Sequence, residues 1–127
     1  MLKFFKKMKK NRKGYTLTEL IVVVAILGIL AAVATPMIMN QVDKARTTAD
    51  LANAKSIENA YKIEVVSTGV EASDAAAAIT AIKKTLVTIP APQKAGAFYL
   101  NPKTGETKHS AATPTVVAGE TWFLVSP

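Results

Sequence analysis

Fifteen consecutive residues, LIVVVAILGILAAVA at positions 20–34, carry no polar side chain. Thr35 and Pro36 interrupt the run, and Met37, Ile38 and Met39 prolong it. Residues 20–39 would span about 30 Å as a helix, roughly the thickness of a bilayer core. Immediately before this run, residues 1–14 (MLKFFKKMKKNRKG) hold Lys3, Lys6, Lys7, Lys9, Lys10, Arg12 and Lys13, and no acid. The other nine basic residues are matched by nine acidic ones, so the formal charge of +7 belongs to the first fourteen residues. A basic head before a long apolar run marks a membrane-directed segment whose positive end stays cytoplasmic. A nucleic-acid binder would instead spread its basic residues over a folded surface. Nucleic acid is therefore not an expected partner, except through local patches such as Lys83-Lys84.

Two ordinary readings fit the basic head and apolar run. A secretory signal peptide would use Ala32-Val33-Ala34 as an A-x-A cleavage site and release a soluble domain. A plain transmembrane anchor would keep the run in place. Glu19 weighs against both, because a carboxylate at the edge of lipid is costly without a partner and neither reading needs it.

The stretch Lys13-Gly14-Tyr15-Thr16-Leu17-Thr18-Glu19-Leu20-Ile21, followed by the apolar run, resembles the class III signal of type IV prepilins and pseudopilins. A basic leader ending in Gly, an aromatic next, a Glu five residues after the Gly and the unbroken apolar stretch together carry the likeness. Gly28 and Pro36 also stand where that family often has them. The resemblance implies that a membrane-embedded prepilin peptidase cuts between Gly14 and Tyr15 and N-methylates Tyr15. It implies that Glu19 recognises the terminal amine of a neighbouring subunit, and that assembly machinery of the inner membrane draws the subunit from lipid into a homopolymeric filament. A glycine at the cut lets the backbone extend through a tight active site. A buried ammonium–carboxylate pair adds little stability but penalises misaligned subunits, so it fixes register. Tyr15 replaces the more usual Phe, Thr18 replaces an aliphatic residue, and the absence of cysteine excludes a disulfide-stapled C-terminal loop.

Beyond Met39 the chain turns polar but keeps helical spacing. Ile38, Val42, Ala45, Ala49, Ala52, Ser56, Ala60 and Ile63 recur at intervals of three and four, with Leu51, Ala54, Ile57 and Tyr61 beside them. A single helix of roughly 50 residues, about 80 Å long, is expected up to Gly69. Pro36 removes a backbone donor inside it and predicts a kink or local unwinding; Gly28 lowers helix propensity upstream. The Gly28–Pro36 stretch is expected to loosen in an assembled filament.

Residues 69–127 are too few for a robust independent core and must pack on the long helix. Ser73-Asp74 opens a second helix to about Leu86, with Ser73 as N-cap. Strands are expected at 97–100, at 106–110 after an Asn101–Gly105 turn, and at 120–125 after a loop at 111–115. Phe98, Tyr99, Trp122 and Phe123 read as core. The fold class is α+β: a long N-terminal helix, half membrane-spanning and half amphipathic, with a small antiparallel sheet packed on it. Its parts are a leader at 1–14 that is removed, an apolar half at 15–39, an amphipathic half at 40–68 and a head at 69–127.

His109 is the sole histidine, and cysteine is absent, so neither a His pair for a metal nor a Ser-His-Asp triad is expected. His109 reads as a solvated or hydrogen-bonded strand residue. No phosphate loop or calcium-loop spacing is present, and no catalytic residue, metal or cofactor is expected. The leading expectation is a structural pilus subunit. It would be held in the cytoplasmic membrane as precursor, with membrane lipid around its helix, and would reach the cell surface in the filament. The alternatives are a pseudopilin of a type II secretion or competence system, and a secreted domain cleaved near Ala34.

Overall fold

The computed structural model describes residues 14–114, 120–125 and 127. The basic residues of the expected leader, and Thr115 of the expected loop, lie outside them. The chain divides into two compact units, residues 1–40 and 41–127. Helix α1 spans Leu17–Thr68, helix α2 spans Ala75–Thr85, and strands β1, β2 and β3 span Ala97–Leu100, Thr107–Ser110 and Phe123–Val125.

In the first unit every described residue is exposed, including all the apolar side chains from Leu20 to Met39. Helix α1 is long and apolar enough to cross a membrane. The helix runs unbroken through Gly28 and Pro36, so the local unwinding expected at Pro36 is not seen in the single chain. Proline costs the ladder one N–H, but the neighbouring bonds survive, and the Thr35 hydroxyl donates to the Ala31 carbonyl at 2.7 Å.

The second unit builds its core where α1 meets α2 and the sheet. Ala54, Ile57, Ala60 and Tyr61 of α1 join Ala78 and Ile82 of α2, Phe98 and Leu100 of β1, Val125 of β3, and Ile89 from the segment between α2 and β1. The head thus packs on a different face of α1 from the stripe expected at 38–63. Ile38, Val42, Ala45, Ala52, Ser56 and Ile63 stay exposed, Ala49 is half-buried, and only Ala60 is shared. The buried face also contains Asp50 and Glu58, and their charge disguises it in the hydropathy pattern.

Gly69 ends α1 in the left-handed region (φ 71°), its N–H bonded to the Val65 carbonyl at 2.7 Å. Helix α2 is amphipathic, with Ala78 and Ile82 buried one turn apart. Its N-cap is Asp74 rather than the expected Ser73: the Asp74 carboxylate accepts the Ala77 N–H at 2.8 Å. Lys83 and Lys84 in its last turn face the negative end of the helix dipole.

The sheet order is β2-β1-β3, antiparallel throughout. In β1, Phe98 and Leu100 point inward and Ala97 and Tyr99 are half-buried, the period of two expected of a strand with one face on a core. The β1–β2 turn is tied by Asn101, whose Oδ1 accepts the N–H groups of Lys103 and Thr104 at 3.0 and 3.4 Å. Strand β3 begins at Phe123, three residues later than expected, and Tyr99, Trp122 and Phe123 are half-buried where full core positions were expected.

Candidate functional site

Gly14, Tyr15 and Thr16 precede α1 in non-helical, exposed backbone. No atom lies within 4 Å of the position a Gly14 Cβ would occupy, and Tyr15 is 89% exposed. The bond between them is therefore unobstructed by the described residues.

Thr16 and Glu19 form a reciprocal capping box at the start of α1. The Thr16 N–H donates to Glu19 Oε2 at 2.8 Å, and the Glu19 N–H donates to Thr16 Oγ1 at 3.2 Å. Two of the amide groups that a helix start leaves without partners are satisfied, and the carboxylate sits at the positive end of the helix dipole. The Thr-x-x-Glu spacing at 16–19 is the sequence signal of this cap. Among the described residues Glu19 makes no ion pair; its carboxylate is held by its own chain. Gly28 and Pro36 are both exposed, and no side chain fills the space beside Gly28.

A second group of polar residues lies in the second unit. Asp50 is 2% exposed, and its two oxygens accept the N–H groups of Gln93 and Lys94 at 2.6 and 3.0 Å. His109 Nε2 is 4.0 Å from Asp50 Oδ2, and the ring meets Phe98 edge-on with centroids 5.6 Å apart. Nε2 is buried without a hydrogen-bond partner, as is Thr107 Oγ1, so the solvated or hydrogen-bonded side chain expected for His109 is not what this nitrogen shows. A cavity of about 490 Å³ opens beside these groups, lined also by Leu51, Ala54 and Lys94. Among the described residues no three metal-ligating side chains converge.

Glu58 receives Lys62 Nζ at 2.6 Å and Lys55 Nζ at 2.9 Å. The hydrogen bond from Lys62 holds its carboxyl below the usual glutamate range; burial opposes this, and Lys55 reinforces it. Both partners lie on the same helix at i+4 and i−3, so this cluster stiffens α1 rather than forming a reactive site.

An exposed apolar helix thus follows a capped glutamate and a glycine–aromatic junction. The family described as "Prokaryotic N-terminal methylation motif" matches residues 9–35. The chain is 41% identical to the type II secretion system core protein G of Pseudomonas aeruginosa over 59 residues, 44% of this chain and 42% of that protein. It is 49% identical to the type IV major fimbrial protein FimA of Dichelobacter nodosus over 41 residues, 32% of this chain and 26% of that one. The type IV narrow pilus major component PilA5 of Thermus thermophilus is 41% identical over 54 residues, 42% of this chain and 47% of that one. The chain spans less than half the length of each of these relatives. No solved structure matches it.

Proposed function

We propose that this chain is a structural, non-enzymatic subunit of a type IV pilus. In this reading a prepilin peptidase removes residues 1–14 by cutting between Gly14 and Tyr15 and methylates the new amine of Tyr15. Residues 15–39 hold the subunit in the cytoplasmic membrane, leader inward, and later form the filament core. Residues 40–68 carry the amphipathic half of the helix, and 69–127 form the head presented at the cell surface. The observation that carries the reading is the wholly exposed apolar length of α1, most of which lies within the residues 9–35 matched to the methylation-motif family. Such a surface must be covered, and lipid and neighbouring copies of the same helix offer similarly apolar surroundings. Transfer from one to the other by inner-membrane assembly machinery therefore costs little, and packing together with polar contacts decides the arrangement.

The capping box gives Glu19 a place in that transfer. Before assembly its carboxylate is satisfied by the Thr16 N–H. The Tyr15 ammonium of an adjoining subunit supplies a charged partner instead, and a misplaced subunit leaves a charge without one. Gly14→Val is expected to leave unprocessed precursor in the membrane, and Glu19→Ala to be processed normally but to yield few filaments. Normal cleavage of the first variant, or undiminished filament yield from the second, would refute these roles.

The likeness to core protein G favours a second reading, a pseudopilin of a type II secretion or competence system, which uses the same processing and the same helix. Electron microscopy of sheared cell surfaces separates them: long surface filaments of this subunit support the pilus, and their absence together with a secretion or uptake defect supports the pseudopilin.

A further inference from the structure

Asp50 and His109 stand apart from the processing motif. Asp50 lies on the buried face of α1 and already tethers the segment before β1 through the Gln93 and Lys94 N–H groups. His109 lies on the inward side of β2, opposite Phe98 in the ladder. Its Nε2 is closed to solvent, without a partner, and 4.0 Å from Asp50 Oδ2. Gly96 seals the other side: a Cβ there would lie 2.9 Å from Nε2 and 2.5 Å from the Ser110 carbonyl oxygen. Gly96 also has φ 134°, a conformation that side chains disfavour, so glycine is what permits the close approach.

We propose that Asp50 and His109 form a proton-sensitive latch between α1 and β2, with the proton of the neutral ring held on Nε2 and the contact tightening when the ring becomes imidazolium. A lone pair on Nε2 would face a carboxylate oxygen and repel it, whereas an N–H there points a donor at an acceptor. A closure of about 1 Å makes this a hydrogen bond of ordinary length. A second proton on the ring adds a positive charge beside the Asp50 carboxylate. The pair then becomes a charge-assisted contact in a shielded site, so acid strengthens the latch and rising pH weakens it.

The other charged groups around the ring do not replace Asp50. Lys94 on the preceding segment turns its Nζ to Thr47 Oγ1 at 3.4 Å. Lys108 Nζ is 3.3 Å from Glu106 and 4.7 Å above the centre of the Trp122 ring. β1 presents the apolar edge of Phe98. Strengthening the latch should hold β2 and the 93–94 segment to the helix as one piece, because Asp50 grips both.

The test uses the full chain in detergent micelles. Nitrogen NMR of the histidine ring should show a protonated Nε2 in the neutral form. Amide-exchange protection of Gln93 and Lys94, corrected for the intrinsic pH dependence of exchange, should rise on the order of fivefold as the ring charges, since charged hydrogen bonds are about twice as strong as neutral ones. His109→Gln keeps an N–H donor but cannot charge, and its protection should stay flat across the same range. A neutral ring with its proton on Nδ1, a flat wild-type profile, or the same rise in the Gln variant would overturn the proposal. The tautomer is read on the unmodified chain, so it decides the matter even where the variant does not fold.

Discussion

The Tyr61 hydroxyl donates to the Pro102 carbonyl at 3.0 Å and accepts the Ala72 N–H at 2.9 Å, joining the turn after β1 and the loop after α1 to one point on the helix. Tyr61→Phe keeps the ring but leaves both backbone groups without their partner. It should lower the unfolding free energy by about 2 kcal/mol, read from urea denaturation of the detergent-solubilised chain. An unchanged midpoint would mean water replaces the hydroxyl. Glu58 gives a prediction in pH. Its carboxyl is held below the usual range in the folded chain, so its contribution is present above the ordinary glutamate value of about 4.3. That contribution is lost as pH falls through the folded value. Glu58→Gln should therefore lower stability at neutral pH and flatten the acid limb of the stability profile. At this scale the sequence was legible only where partners are local. Asn101 folding its own turn involves residues two or three apart, and the cap of α2 fell on Asp74, one residue from the Ser73 expected. The partners of Tyr61 and Asp50 lie 11 to 44 residues away, and no spacing rule reaches them.

Among the elements, helix α2 and strand β1 lie close to where periodicity and turn residues put them, because one apolar face of each meets a single core. Helix α1 was legible in extent but not in orientation. Its second half offers two apolar tracks side by side, and the head settled on the one bearing the larger side chains Ile57 and Tyr61, with Asp50 and Glu58 carried inward. Area explains the choice: burying an isoleucine or a tyrosine removes far more apolar surface from water than burying an alanine. The breakers at Gly28 and Pro36 leave the single chain helical, since one missing N–H is tolerated in a 52-residue helix. Within a filament, neighbours can repay a locally opened ladder, and the expectation that 28–36 loosens there stands as a prediction. Backbone density from an assembled filament checks it, and a continuous α-helix through those residues would contradict it.

For the whole molecule, the residues that carry the proposed function lie in the first third of the chain, where the chemistry invoked is sequential. A cleavage junction, a cap and an apolar run need only neighbours in sequence. The similarity to known proteins is likewise short, 41 to 59 residues for the three relatives compared. The formal charge of +7 equals that of residues 1–14, so the proposed processing would leave nine basic and nine acidic side chains. The most direct test of the central claim is N-terminal sequencing and intact mass of the membrane-associated protein. The account predicts a single species beginning at N-methylated Tyr15. A start at Thr35, or a retained basic leader in assembled filaments, would contradict it.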